Sequence, residues 1–165
     1  MRAIVLSFIA ATALLLPAVV RADKPLTTTI AKLTLGTALK IAQEAISACR
    51  KKGFEVTATV VDREGIDQVV LRDTLAAPLS LAISHDKAYT SAMFDASGAL
   101  LQQQPRHEPL THAGAHIVFV GGSVPIEAGG VFYGAVGVSG TPSAQTDEYC
   151  AEAGFKSVEQ ALEMQ

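Results

Sequence analysis

The stretch FEVTATVVDREGIDQVVLRD, residues 54–73, constrains the fold more than any other part of the 165-residue chain. Val56, Ala58 and Val60 alternate with Glu55, Thr57 and Thr59, the period of a strand with one face turned toward a core. Asp62 to Gly65 supplies turn residues and Ile66 to Leu71 resumes a β-branched run, so the pattern predicts a β-hairpin. The residues just before it predict a helix. Leu35, Ala38, Leu39, Ala42, Ala45, Ile46 and Cys49 form one apolar stripe, with Thr34 as N-cap, Arg50 to Lys52 suited to the C-terminal dipole, and Gly53 as the stop.

After Pro78, apolar residues at Leu79, Ala82, Ile83, Tyr89, Met93 and Phe94 predict a second helix. On it His85 and Tyr89 share a face, while Lys87 projects roughly opposite Tyr89. Residues 95–109 read as a glutamine-rich connection with a short helical stretch near Gly98 to Gln104. Three short strands follow, at His116–Val120, Val124–Glu127 and Val131–Ser139, divided by the pairs Gly121-Gly122 and Gly129-Gly130. The chain closes with a helix from Ser143 to Ala153, Gly154 as its stop, and a last helix from Ser157 to Glu163. Helix, two strands, helix, connection, three strands, helix is an α+β plan with an antiparallel sheet and helices packed against it. The glycine spacing fits hairpin turns, not a phosphate-binding fingerprint.

The first 22 residues read as a secretory signal peptide. Arg2 gives a positive start, Ala3 to Leu16 is almost wholly apolar, and Val20-Arg21-Ala22 resembles a cleavage site. An uncleaved anchor is the alternative, and Pro17 and the small residues favour cleavage. Residues 23–32 are then a flexible N-terminal segment and 33–165 a single domain, periplasmic or secreted, with no later stretch apolar enough to span a membrane. Loss of Arg2 and Arg21 from the 13 basic residues leaves 11 against 16 acids, a net charge of −5, which argues against a nucleic-acid partner. Cys49 and Cys150, the only two cysteines, are a disulfide candidate in an oxidising compartment, with two buried thiols as the alternative.

Five stretches carry a family likeness in order and spacing: LTLGTALKIAQEAI, VVDREG, LRDTLAAPLSLAISHDKAYTSAMF, VGGSVPIEAGGVFYGAVGVSG and TDEYCAEAG. From about Leu33 to Ser157 the chain resembles the GlcG/HbpS haem-binding family. Arg72-Asp73-Thr74-Leu75 departs from the commoner Arg-x-Asp-Gly-Ala pattern and is similar to an exported subgroup. The resemblance implies an α+β fold with a five-stranded antiparallel sheet and flanking helices, profilin-like or PAS-like, homo-oligomers from dimer to octamer, and haem or another small ligand held at the surface or between subunits. Members of the family look like carriers, scavengers or sensor inputs.

A haem site needs an axial donor, an apolar slot and cations for the propionates. His85, His112 and His116 are the candidate iron ligands, and Arg72 and Lys87 the candidate propionate partners. A single metal shared by His112 and His116 is disfavoured, because on a strand they lie about 13 Å apart at ~3.3 Å per residue. Neither a Gly-x-Ser-x-Gly elbow nor an HExxH motif occurs. Ser139 has an ordinary role at a strand end, and Asp147 and Glu148 one beside a helix N-terminus. A hydrolase or isomerase acting on a small polar substrate stands as the alternative to a binding protein.

Overall fold

The computed structural model of the chain describes residues 25–104 and 116–165. The expected signal peptide and His112 lie outside the described residues. The elements are α1 (Leu35–Lys51), β1 (Thr57–Asp62), β2 (Asp67–Arg72), α2 (Ser80–Phe94) and α3 (Gly98–Gln102), then β3 (Ser123–Ala128), β4 (Val131–Ser139), α4 (Ala144–Lys156) and α5 (Glu159–Glu163). The strands form one antiparallel sheet in the order β2-β1-β4-β3.

The sheet has four strands among the described residues, not five. His116–Val120, expected as a strand, is irregular, and its backbone is committed elsewhere. His116 takes a positive φ of 72°, outside the strand region, and the Val118 N–H donates to Thr90 Oγ1 at 2.9 Å on α2 rather than to a neighbouring strand.

One face of the sheet carries α1, α4 and α5, the other α2. On the first face Ala58, Val60, Val136 and Val138 meet Ile41, Ala42, Ala45 and Ala151 in the main core. Thr34 caps α1 as expected, accepting the Thr37 N–H at 3.3 Å. Gly154 does not stop the last long helix: α4 runs on to Lys156. That glycine serves the crossing with α1 instead, since a Cβ there would lie 2.6 Å from the Ile41 carbonyl oxygen. Cys49 and Cys150 join the same two helices in a disulfide, their Cα atoms 5.5 Å apart and 101 positions apart in the sequence.

The second face carries Thr57 and Thr59. Both are fully buried, because α2 covers them: Thr57 Oγ1 pairs with Ser80 Oγ at 2.6 Å and Thr59 Oγ1 with Ser84 Oγ at 2.8 Å. The buried side of α2 is thus Ser80, Ser84, Lys87, Ala88, Ser91 and Ala92, a small and polar stripe. Leu79, Ile83 and Met93, of the apolar set that predicts this helix, are exposed, and so is Leu81. Gly137 on β4 explains the close seating, for a Cβ there would sit 2.3 Å from the Ser84 carbonyl oxygen and 2.6 Å from the Ala88 nitrogen.

Candidate functional site

α2 buries its small residues together with Lys87 and leaves His85, Asp86 and Tyr89 partly open. His85 and Tyr89, one turn apart, stack with ring centroids 6.1 Å apart. Gly65 in the hairpin turn makes room for Tyr89: it has a φ of 78°, and a Cβ there would lie 2.6 Å from the tyrosine ring. The turn itself is tied by Asp62, whose Oδ1 accepts the N–H groups of Glu64 and Ile66 at 3.0 Å each. Burial pushes the Asp62 carboxyl up, and hydrogen bonds from Lys32 and these amides outweigh it, so the group titrates below its ordinary value.

His116 comes to α2 from the far side of the chain. Its ring lies edge-on to His85 at 5.1 Å between centroids and 6.2 Å from Tyr89. Each histidine has a carboxylate at Nδ1: Asp67 Oδ1 at 2.8 Å for His85, and Asp86 Oδ1 at 2.7 Å for His116. A carboxylate on Nδ1 fixes the ring and leaves Nε2 as the free donor, the usual second partner of a metal-ligating histidine. Thr90 holds the segment in place, its hydroxyl 2.7 Å from the Asp86 carbonyl oxygen and 3.1 Å from that of His116 while accepting from Val118.

Asp86 also borders a cavity of about 430 Å³ beside α2. That volume lies within the ordinary range for small-molecule sites, roughly 300–1,000 Å³. Ile83, Val118 and Val120 form its apolar wall, and Lys87, Ser139 and Asp147 its polar floor. Lys87 Nζ donates to Asp147 Oδ2 at 2.8 Å and to the Val138 carbonyl at 3.1 Å, and both charged side chains are almost wholly buried. An ammonium has a third hydrogen to offer. Asp147 and Glu148, read from the sequence as helix-end acids, do more than that. Glu148 accepts the N–H groups of Ala99, Gly122 and Ser123 and so fixes the loop at the rim.

Five expected site residues therefore have different fates. His85 and His116 come together, and Lys87 lies at the neighbouring cavity. Arg72 does not join them. It sits at the opposite end of β2 from Asp67, roughly 16 Å away at ~3.3 Å per residue, donates to the Ala76 carbonyl at 2.7 Å, and lines a separate groove against α1. Nor does it pair with Asp73. That carboxylate takes two hydrogen bonds from Arg50, at 2.7 and 2.6 Å, and Arg50 holds it below its ordinary pKa. His112 lies outside the described residues. The sequence reading missed Asp67, Asp86, Thr90 and Asp147 as site residues. The one signal, for Thr90 alone, was the run of small polar residues recurring along α2, which marks the buried side of the helix.

These residues fit a haem in its donor chemistry: an imidazole Nε2 on each of two oriented histidines, beside an apolar wall with an ammonium at its floor.

The family model described as "Haem degrading protein HbpS-like" matches residues 33–156. Two crystal structures of HbpS, one a double mutant from Streptomyces reticuli, are 33% identical to this chain. Each covers 84% of it, aligns over 95% and 99% of its own length respectively, and superposes with a TM-score of 0.76. A PduOC:haem complex, 21% identical over 77% of this chain and 95% of its own, has a TM-score of 0.71 and shows likeness of fold. No curated protein matches the sequence.

Proposed function

Because this chain belongs to the HbpS-like haem-degrading family, we propose that it is an exported haem-binding protein whose site is the His85–His116 cluster and the cavity beside it. The observation that carries the reading is the pair of imidazoles 5.1 Å apart, each oriented by its own carboxylate, next to an apolar wall. Bound haem would supply an iron centre for ligand exchange and redox chemistry. Nε2 of His85 or His116 would hold its iron, with His112 the third candidate. Ile83, Val118 and Val120 shield the ring from water. Lys87 offers its remaining hydrogen to a propionate, and Arg72 is reserved for a ligand held across a subunit boundary.

A carrier, scavenger or sensor input outside the cytoplasm is the role proposed, in keeping with the Cys49–Cys150 disulfide. No helix among the described residues is long and apolar enough to cross a membrane. A homo-oligomer is proposed from the outward face of α2, where Leu79, Leu81, Ile83 and Met93 are exposed on neighbouring turns. Lys87, Asp147 and Ser139 at the cavity floor are the observation favouring the second reading, an enzyme acting on a small polar substrate.

Hemin titration of the chain from Asp23 onward tests the first reading. One saturable Soret shift per chain is expected, weakened at least tenfold in His85→Ala or His116→Ala. An unchanged shift in folded variants lacking all of His85, His112 and His116 contradicts the ligand assignment. A folded protein that takes up no hemin turns attention to the second reading.

A further inference from the structure

We propose that Ser139 and Lys87 form a binding site for a small uncharged carbonyl compound at the floor of the cavity beside α2. Ser139 is 6% exposed and lines the cavity, and its hydroxyl makes no hydrogen bond to any described residue. Buried hydroxyls are as a rule paired, so one left open at a cavity floor is a donor kept for an occupant. Lys87 stands next to it, because its Nζ donates to the carbonyl of Val138, the residue before Ser139. The ammonium is fixed by its other contacts. It donates to Asp147 Oδ2 at 2.8 Å, Asp147 Oδ1 accepts the Thr141 N–H at 3.1 Å, and a Cβ on Gly122 would lie 2.5 Å from Nζ. One hydrogen on Nζ remains.

A carbonyl oxygen has two lone pairs, which suits one ammonium hydrogen and one hydroxyl hydrogen offered from adjoining positions. The charges on the lining decide against an anion. Among the described residues Lys87 stands there against Asp86 and Asp147, so the site has no net positive charge even with Asp86 paired to a protonated His116. Lys87 is already matched by Asp147, and a carboxylate brought beside it meets that acid's like charge. Ile83, Val118 and Val120 supply a wall for a short hydrocarbon body. A buried ion pair seldom stabilises a fold more than apolar residues of the same size, so recognition is the use this one serves. The inference rests on the second reading, in which the cavity takes a small polar molecule, and names its class. The first reading gives the Lys87 hydrogen to a propionate, so the two are alternatives for this ammonium.

The test titrates the isotope-labelled chain from Asp23 onward with cyclopentanone, methylenecyclopentane and cyclopentanecarboxylate, following the backbone amide resonances of Gly122, Ser139 and Thr141. Cyclopentanone is expected to bind saturably, one per chain, and about fivefold more tightly than methylenecyclopentane, which has the shape without the oxygen. Ser139→Ala should weaken cyclopentanone by about the same factor. That variant leaves no hydrogen-bond partner stranded among the described residues, so its fold is kept, and circular dichroism checks this. No saturable shift with cyclopentanone overturns the proposal, as does an affinity unchanged in Ser139→Ala. Tighter binding of the carboxylate than of the ketone also overturns it, and leaves the second reading standing. If none of the three probes moves these amides, the second reading loses its site along with this inference.

Discussion

Thr90 concentrates three polar contacts on one hydroxyl, and His116 depends on all of them. The left-handed backbone at His116 is an uncommon conformation for a residue with a Cβ, and it persists because the segment is tied to α2 at the His116 carbonyl and at the Val118 N–H. Thr90→Val keeps the shape and strands the Val118 N–H, at a cost of about 1–3 kcal/mol. Hemin should bind several-fold more weakly to this variant while its circular dichroism is unchanged; equal hemin affinity in calorimetry would show that His116 needs no such clamp. A second residue-scale test lies away from the site. Arg50 holds the Asp73 carboxyl below its ordinary pKa, so the pair's stabilisation is complete above the unfolded value of about 3.9 and is lost as pH falls through the folded value. Asp73→Asn should therefore lower the urea midpoint at pH 7 and leave it less sensitive to acid below about pH 4. A parent and variant with parallel midpoints from pH 7 to pH 2 would refute the assignment. Residues of this kind were half legible. Donor chemistry alone picks out His85 and His116, but their carboxylates come from positions 18 and 30 residues distant, and no local pattern links those.

Among the elements, α2 shows how a sound periodicity can be read onto the wrong face. Its large apolar residues do recur at helical spacing, as do Ser80, Ser84, Ala88 and Ser91, and the second set is the one that faces the sheet. Close approach decides between them: Gly137 removes the side chain that would hold the helix off, and the threonine–serine pairs satisfy the hydroxyls buried as a result. Gly137→Ala must push α2 away from β4 and should destabilise the fold by about 1–3 kcal/mol, the usual cost of overpacking. Thermal melts would detect that as a lowered midpoint, and a midpoint equal to the parent's would mean that the helix has slack. By contrast the bounds of α1 and β4 were legible, from a helical apolar stripe capped by Thr34 and from the run that follows Gly129-Gly130, although Leu35 and Leu39 of the α1 stripe are exposed.

For the whole molecule, the order of elements and the α+β class follow from patterning, and the count of strands does not. The stretch from His116 to Val120 has the composition of a strand, yet its backbone serves the site. Folding that segment across α2 is what brings a histidine from beyond the glutamine-rich connection within 5.1 Å of one on the helix. The same small-residue seating that buries the inner side of α2 turns its leucines outward, where they are free to meet another subunit or the rim of a ligand. The central proposal is that haem iron is ligated at the α2 cluster. Its most direct test is an anomalous-scattering map at the iron edge from crystals of the chain from Asp23 onward grown with hemin. The account predicts an iron peak within bonding distance of Nε2 of His85 or His116; an iron peak elsewhere on the chain, or haem-saturated crystals with no peak at α2, would contradict it.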